Sequence, residues 1–93
     1  MSRLSGSEIK SRLTELNGWV FKDNAIIKIF TFSAYMDGIK FVNKLADKAE
    51  AANHHPDLII GWCRVEVAFT SHDQGGVTEK CLQMAIETDA IKL

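Results

Sequence analysis

The sequence predicts an α+β domain: a two-layer α/β sandwich whose antiparallel sheet of about four strands carries helices on one face, in the order α-β-β-α-β-β-α. Three observations predict it. Apolar residues step by three or four through three separate stretches, the period of an amphipathic helix. Two pairs of short β-rich runs lie between and beside those stretches, and turn-forming residues join the first pair. No repeat, low-complexity segment or linker divides the 93 residues, so residues 1–93 read as one domain.

The first helix is expected from Ser5 to Leu16, where Ile9, Leu13 and Leu16 share a face. Ser5 with Glu8 three residues on fits a capping box at its start. Asn17-Gly18, residue types that tolerate left-handed backbone, supply a stop. Trp19-Val20-Phe21 and Ala25 to Phe32 then form a hairpin around Lys22-Asp23-Asn24, because Asp and Asn favour turns through local side-chain hydrogen bonds. Ile26, Lys28, Phe30 and Phe32 share one strand face, and Ile27, Ile29 and Thr31 share the other. Apolar residues on both faces are unusual where one face meets water, which suggests that a neighbouring subunit partly covers the second.

Ser33 to Ala52 is the longest helical stretch, with Met36, Ile39, Val42, Leu45, Ala49 and Ala52 as a continuous stripe and Ser33 as its N-cap. Pro56 disfavours helix at the residue before it, so this helix should end by about Asn53. Leu58 to Trp62 and Cys63 to Ser71 follow as strands. In the latter, Val65, Val67 and Phe69 alternate with Arg64, Glu66 and Ala68, the pattern of a half-buried strand, and Cys63 begins it as a small buried hydrophobe. Asp73-Gln74-Gly75-Gly76 is a turn, and Thr78 caps a last helix carrying Leu82, Ala85, Ile86 and Ala90 on one side.

Composition narrows the function classes. Eleven basic and twelve acidic side chains give a net charge of -1, with none of the basic excess that binding a nucleic-acid backbone needs. No apolar run approaches the ~20 residues that cross a bilayer. The start, Met1-Ser2-Arg3-Leu4-Ser5-Gly6, has no signal-peptide core. Cys63 and Cys81 lie 18 apart and read as reduced thiols, so a cytoplasmic protein is expected. A domain this short buries a modest fraction of its surface, and oligomerisation is one common remedy.

All three histidines fall at element ends: His54 and His55 at a helix exit, His72 at a strand exit. Taken alone, two adjacent histidines after a helix also suit a solvated cationic cap. Histidine titrates near neutrality, and loop ends on a rigid scaffold are where catalytic groups tend to lie. Three histidines and two cysteines could supply metal ligands, but neither His-x3-His nor Cys-x2-Cys spacing occurs, and no metal site is expected.

These residues also fit a pattern. Glu50-Ala51-Ala52-Asn53-His54-His55-Pro56, an aromatic six residues later at Trp62, and Ser71-His72-Asp73 with Gly75-Gly76-Val77-Thr78 resemble the pterin-4a-carbinolamine dehydratases. Trp19, Ile26, the Phe30-Thr31-Phe32 run and Phe41 add to the match, which extends from about Trp19 to the C-terminus. The resemblance implies dehydration of a 4a-hydroxytetrahydropterin to the quinonoid dihydropterin without a cofactor. It implies that His54 and His55 are the acid/base pair, that His72 holds or polarises substrate, and that Pro56 fixes the backbone behind the pair. Ser71, Asp73 and Gln74 would border the pterin, and Trp62 would line its site. The resemblance leaves open which of the two acid/base histidines donates and which accepts, with a lean towards His55 as base and His54 as acid. The resemblance further implies a homodimer or homotetramer built through the sheet edge and a long helix. Some animal members also act as dimerisation cofactors of a homeodomain transcription factor, which makes an interaction protein the competing class.

One position departs from the pattern. The family commonly has an aspartate nine residues after the third histidine, where this chain has Cys81. With Thr78 as N-cap, Cys81 is at N3, where the helix dipole favours an anion. A cysteine so placed can have a lowered pKa, and a thiolate is the expected stand-in for the carboxylate.

Overall fold

The computed structural model describes residues 2–93 and has the order α1 (Gly6–Leu13), β1 (Val20–Lys22), β2 (Ala25–Thr31), α2 (Tyr35–Ala52), β3 (Asp57–Gly61), β4 (Arg64–Phe69), a 3-10 turn (His72–Gln74) and α3 (Glu79–Asp89). Met1, the first residue of the segment read for a leader, lies outside the described residues. The expected α+β class and element order hold. No helix among the described residues is long and apolar enough to cross a membrane.

Local chemistry sets most element ends. Ser5 Oγ accepts from Glu8 N–H at 3.2 Å and Glu8 Oε1 accepts from Ser5 N–H at 3.0 Å, the reciprocal capping box expected for α1. This helix stops at Leu13 instead of Leu16. The Thr14 hydroxyl donates to Ser11 O at 2.6 Å, offering the backbone a local alternative to another helical turn. Asp23 and Asn24 both take positive φ, 53° and 60°, between the paired Lys22 and Ala25, the twist a two-residue hairpin needs.

Helix α2 starts one residue later than expected. Ala34, not Ser33, is the N-cap, and no side chain caps it. The buried stripe is Gly38, Phe41, Leu45 and Ala49, rotated from the one read in the sequence, and Met36 is left exposed. Gly38 explains the rotation: a Cβ there would sit 3.4 Å from the Phe32 ring and 3.5 Å from Val65, so this is the face that comes closest to the sheet. In α3, Leu82 and Ala85 are buried as expected, but Ile86 and Ala90 are exposed; Cys81, Met84 and Thr88 turn inward instead.

The four antiparallel strands run β1-β2-β4-β3 across the sheet. Val65, Val67 and Phe69 of β4 are fully buried, and the register sets Phe30, Lys28 and Ile26 beside them on the same face. That face meets Phe41, Leu45 and Ala49 of α2 and Leu82 and Ala85 of α3 in one hydrophobic core. Lys28 is tolerated there because Nζ reaches Asn17 O at 2.7 Å and Asp89 Oδ1 at 2.8 Å. The other face keeps Ile29 (48% exposed) and Ile59 (58%) on either side of Glu66. Cys63 does not begin a strand: it occupies the β3–β4 turn with φ of 57° and is only half-buried.

Candidate active site

The site is made by two chain segments that the sheet brings side by side. Asn53 takes left-handed backbone (φ 51°, ψ 44°) after α2, and His54 N–H bonds back to Ala49 O at 3.1 Å, so the chain reverses sharply at the helix exit. Pro56 cannot continue a helix and leads directly into β3. Asp57, the first residue of β3, pairs with Ala68 near the end of β4. That register sets the exit of α2 beside the exit of β4, and His54-His55-Pro56 beside Ser71-His72-Asp73.

The three histidines have different surroundings. His54 is half-buried, its ring stacked 12° from parallel over Phe69 with centroids 6.0 Å apart. Its Nε2 lies 3.3 Å from the sulfur of Cys81. Burial, and after it the ammonium of Lys80, push the His54 pKa below its ordinary value; Asp73 pulls the other way, while His55 and His72 add to the lowering. His55 is exposed, with Nε2 2.7 Å from Glu50 Oε1. His72 is the most open, its Nε2 3.8 Å from Asp57 Oδ2.

Cys81 is fully buried. Its Sγ accepts from Thr78 N–H at 3.5 Å and lies 3.4 Å from Ser71 Oγ and 3.7 Å from Thr78 Oγ1. Ser71 and Thr78 share a further bond of 2.8 Å between their hydroxyls. Ser71 is therefore tied into the floor of the site. Gln74 Nε2 donates to Asp73 Oδ2 at 3.3 Å on the rim.

Two adjoining depressions meet at His54. One, of about 320 Å³, is lined by Asn53, His54, Ser71, Asp73, Gln74, Thr78 and Lys80. The other, of about 290 Å³, is lined by Asn53, His54, His55, Thr70, Ser71, His72 and Asp73. A separate hollow beside α1 carries Glu8 and Arg12 but no group that titrates near neutrality.

Similarity to known proteins fits this geometry. The family model described as pterin 4 alpha carbinolamine dehydratase matches residues 2–91. The chain belongs to the pterin-4a-carbinolamine dehydratase family. It is 43% identical over 91 residues to a protein of Mycobacterium sp. (strain KMS), across 98% of this chain and 97% of that one. It is 46% identical over 83 residues to a protein of Thermosynechococcus vestitus, across 89% and 87% of the two chains. Both carry the name "Putative pterin-4-alpha-carbinolamine dehydratase". The crystal structure of a transcriptional coactivator/pterin dehydratase from Brucella melitensis superposes with a TM-score of 0.91 at 34% identity, covering 96% of this chain and 97% of that one. A pterin dehydratase-like protein described as a RuBisCO assembly factor in the alpha-carboxysome shares the fold, with a TM-score of 0.67 at 23% identity over 81% of this chain and 89% of that one.

Of the residues singled out in this dehydratase-family sequence, His54, His55, His72, Ser71, Asp73 and Gln74 line the two depressions, and Cys81 and Pro56 adjoin them. Trp62 does not join them. It is 81% exposed in the turn just beyond Gly61, which ends β3 roughly 13 Å along the strand from Asp57 at ordinary strand rise. Its spacing from Pro56 suits the pattern, but an extended strand carries it away from the histidines. Glu50, the first residue of the matched run that ends at Pro56, is the partner of His55. Lys80 and Asp57 escaped the sequence reading, since each reaches a histidine only through tertiary contact.

Proposed function

We propose that this protein eliminates water from a 4a-hydroxytetrahydropterin, giving the quinonoid dihydropterin by histidine acid/base catalysis, within pterin recycling. The observation that carries the reading is the pair of adjacent histidines with unlike partners, His55 on the Glu50 carboxylate and His54 on the Cys81 sulfur, at the meeting of two depressions. Elimination requires the N5 proton to leave, its electron pair to form the C4a=N5 bond, and the C4a–O bond to break as the hydroxyl takes up a proton. A carboxylate only accepts hydrogen bonds, so Glu50 favours a proton on Nε2 of His55 and leaves the Nδ1 lone pair as a base for N5–H. His54, half-buried, hydrogen-bonds the departing oxygen through an N–H, and that oxygen takes its proton from water, to which His55 then returns the N5 proton. His72, Asp73 and Gln74 hold the pterin ring at the rim, with Ser71 and Cys81 beneath. The reaction calls for no redox change, so no cofactor enters it.

The test is the loss of 4a-carbinolamine absorbance on mixing with purified protein. Wild type should accelerate it, and His54→Ala with His55→Ala together should abolish the acceleration. A wild-type protein with no effect would overturn the reading.

A homodimer or homotetramer in the cytoplasm completes the proposal. Ile29, Ile59 and Trp62 stand uncovered on or beside the helix-free sheet face, and strand β3 offers an unpaired edge. Both cysteines are free, in keeping with a reducing compartment. Sedimentation at micromolar concentration should give an assembly; a monomer would refute it. The competing reading, a transcription-factor dimerisation cofactor, takes its support from the coactivator named in the Brucella structure. Partner binding that survives loss of both histidines would mark such a role as separate from dehydration.

A further inference from the structure

Aspartate and cysteine at the position of Cys81 impose opposite demands on the histidine above them. A carboxylate can only accept, so it would draw a proton onto Nε2 of His54 and leave Nδ1 bare. A thiol carries a proton of its own and must place it. We infer that the Cys81 thiol donates to Nε2 of His54 and is thereby a positioning residue, holding the His54 proton on Nδ1, the nitrogen turned to open space.

The hydrogen-bond inventory supports this direction. Four polar groups surround the sulfur: Thr78 N–H at 3.5 Å, Ser71 Oγ at 3.4 Å, Thr78 Oγ1 at 3.7 Å and His54 Nε2 at 3.3 Å. The Thr78 amide can only donate, so one face of the sulfur is already an acceptor. With the thiol directed at His54, every remaining proton has a place: Thr78 O–H to Ser71 Oγ at 2.8 Å, and Ser71 O–H to sulfur. With Nε2–H directed at sulfur, the sulfur would again accept two bonds, but the thiol proton would fall back on a hydroxyl and the imidazole lone pair, the strongest acceptor present, would turn away.

An ionised pair of thiolate and imidazolium is the third arrangement. It needs a charged His54 where burial and Lys80 both oppose one. Cys81 thus keeps its proton, where helix position alone suggests a thiolate. At the other end of the ring, Nδ1 has no hydrogen-bond partner among the described residues. No buried side-chain nitrogen or oxygen there lacks one, so Nδ1 is open to solvent. His54 and His55 are then held in opposite tautomers, one presenting N–H outward and the other a lone pair. The catalytic use of that N–H rests on the dehydratase reading; the tautomer does not.

Long-range proton–nitrogen NMR of nitrogen-labelled protein, recorded near neutral pH without substrate, reads the tautomer directly, with the His54 ring identified by its absence in His54→Gln. Wild type should show a protonated Nδ1 and a bare Nε2. A protonated Nε2, alone or with Nδ1, would overturn the inference. Cys81→Asp should move the proton to Nε2 and Cys81→Ser should leave it on Nδ1; an Asp variant that keeps the wild-type pattern would also overturn it. If Cys81→Asp fails to fold, the wild-type and Ser spectra still decide. In the dehydration assay Cys81→Ala should lower kcat about tenfold with KM unchanged, and Cys81→Ser should restore most of it. Equal kcat in Ala, Ser and wild type would remove the catalytic role. Because the spectra involve no substrate, an inactive wild type with the expected tautomer would overturn the dehydratase reading alone.

Discussion

His55 Nε2 lies 2.7 Å from Glu50 Oε1, although the two residues are only five apart and face different ways along a continuing helix. They meet because Asn53 takes left-handed backbone between them and returns His54 N–H to Ala49 O. Glu50→Gln replaces an obligate acceptor with an amide that can also donate, so the His55 tautomer is no longer fixed. Dehydration kcat should fall about tenfold. The pair is solvent-exposed, so the melting temperature should hardly move. Steady-state kinetics beside thermal melting checks both.

Acidification should destabilise the protein through His54. Burial lowers its folded pKa below 6.5, so the unfolded chain binds the proton more readily. This contribution to stability is complete above the unfolded value and is lost as pH falls from about 6.5 through the folded pKa. His54→Gln removes the titration and should flatten that part of a plot of melting temperature against pH. An unchanged slope would contradict the assignment. Lys80, Asp73, His55 and His72 also act on this ring, so the comparison is made in otherwise wild-type protein.

Lys80 is the second cause of the lowered His54 pKa. Lys80→Gln takes away its charge and should raise the His54 pKa towards the usual histidine range. The NMR titration of the His54 ring should shift to higher pH, and any limb of the pH–rate profile set by His54 should shift with it. A ring that titrates unchanged would show that Lys80 is screened by solvent.

Asp89 ties the first hairpin to the end of α3: Oδ2 accepts from Trp19 Nε1–H at 3.0 Å and Oδ1 from Lys28 Nζ at 2.8 Å. Trp19 is buried, and its indole stands edge-on to Phe30. Asp89→Ala leaves that N–H without its partner and the lysine with Asn17 O alone, which should cost about 1–3 kcal/mol in urea unfolding. None of these groups lines the histidine depressions, so kcat should be unaffected.

Local residue preferences set the order of the secondary elements, most of their ends and the chemistry available to them. The capping box at Ser5 and Glu8, the hairpin at Asp23-Asn24, the end of α2 before Pro56 and the β4 alternation are local effects of backbone preference and side-chain period, and each is met in the fold. The histidines and their spacing were legible for the same reason, since residue type is written in the chain.

Tertiary structure decided which groups meet. Met36 and Ile86 fit a helical stripe yet stay exposed, because the close approach at Gly38 and the inward turn of Cys81 set which helix face packs. Trp62 has the right spacing and lies at the wrong end of a strand, because an extended segment separates in space what it separates in sequence. Cys81 comes to lie under His54, 27 residues away, only because β4 and α3 pack against the same core. Those long-range contacts set which nitrogen of each histidine is free to act, and no local period encodes them.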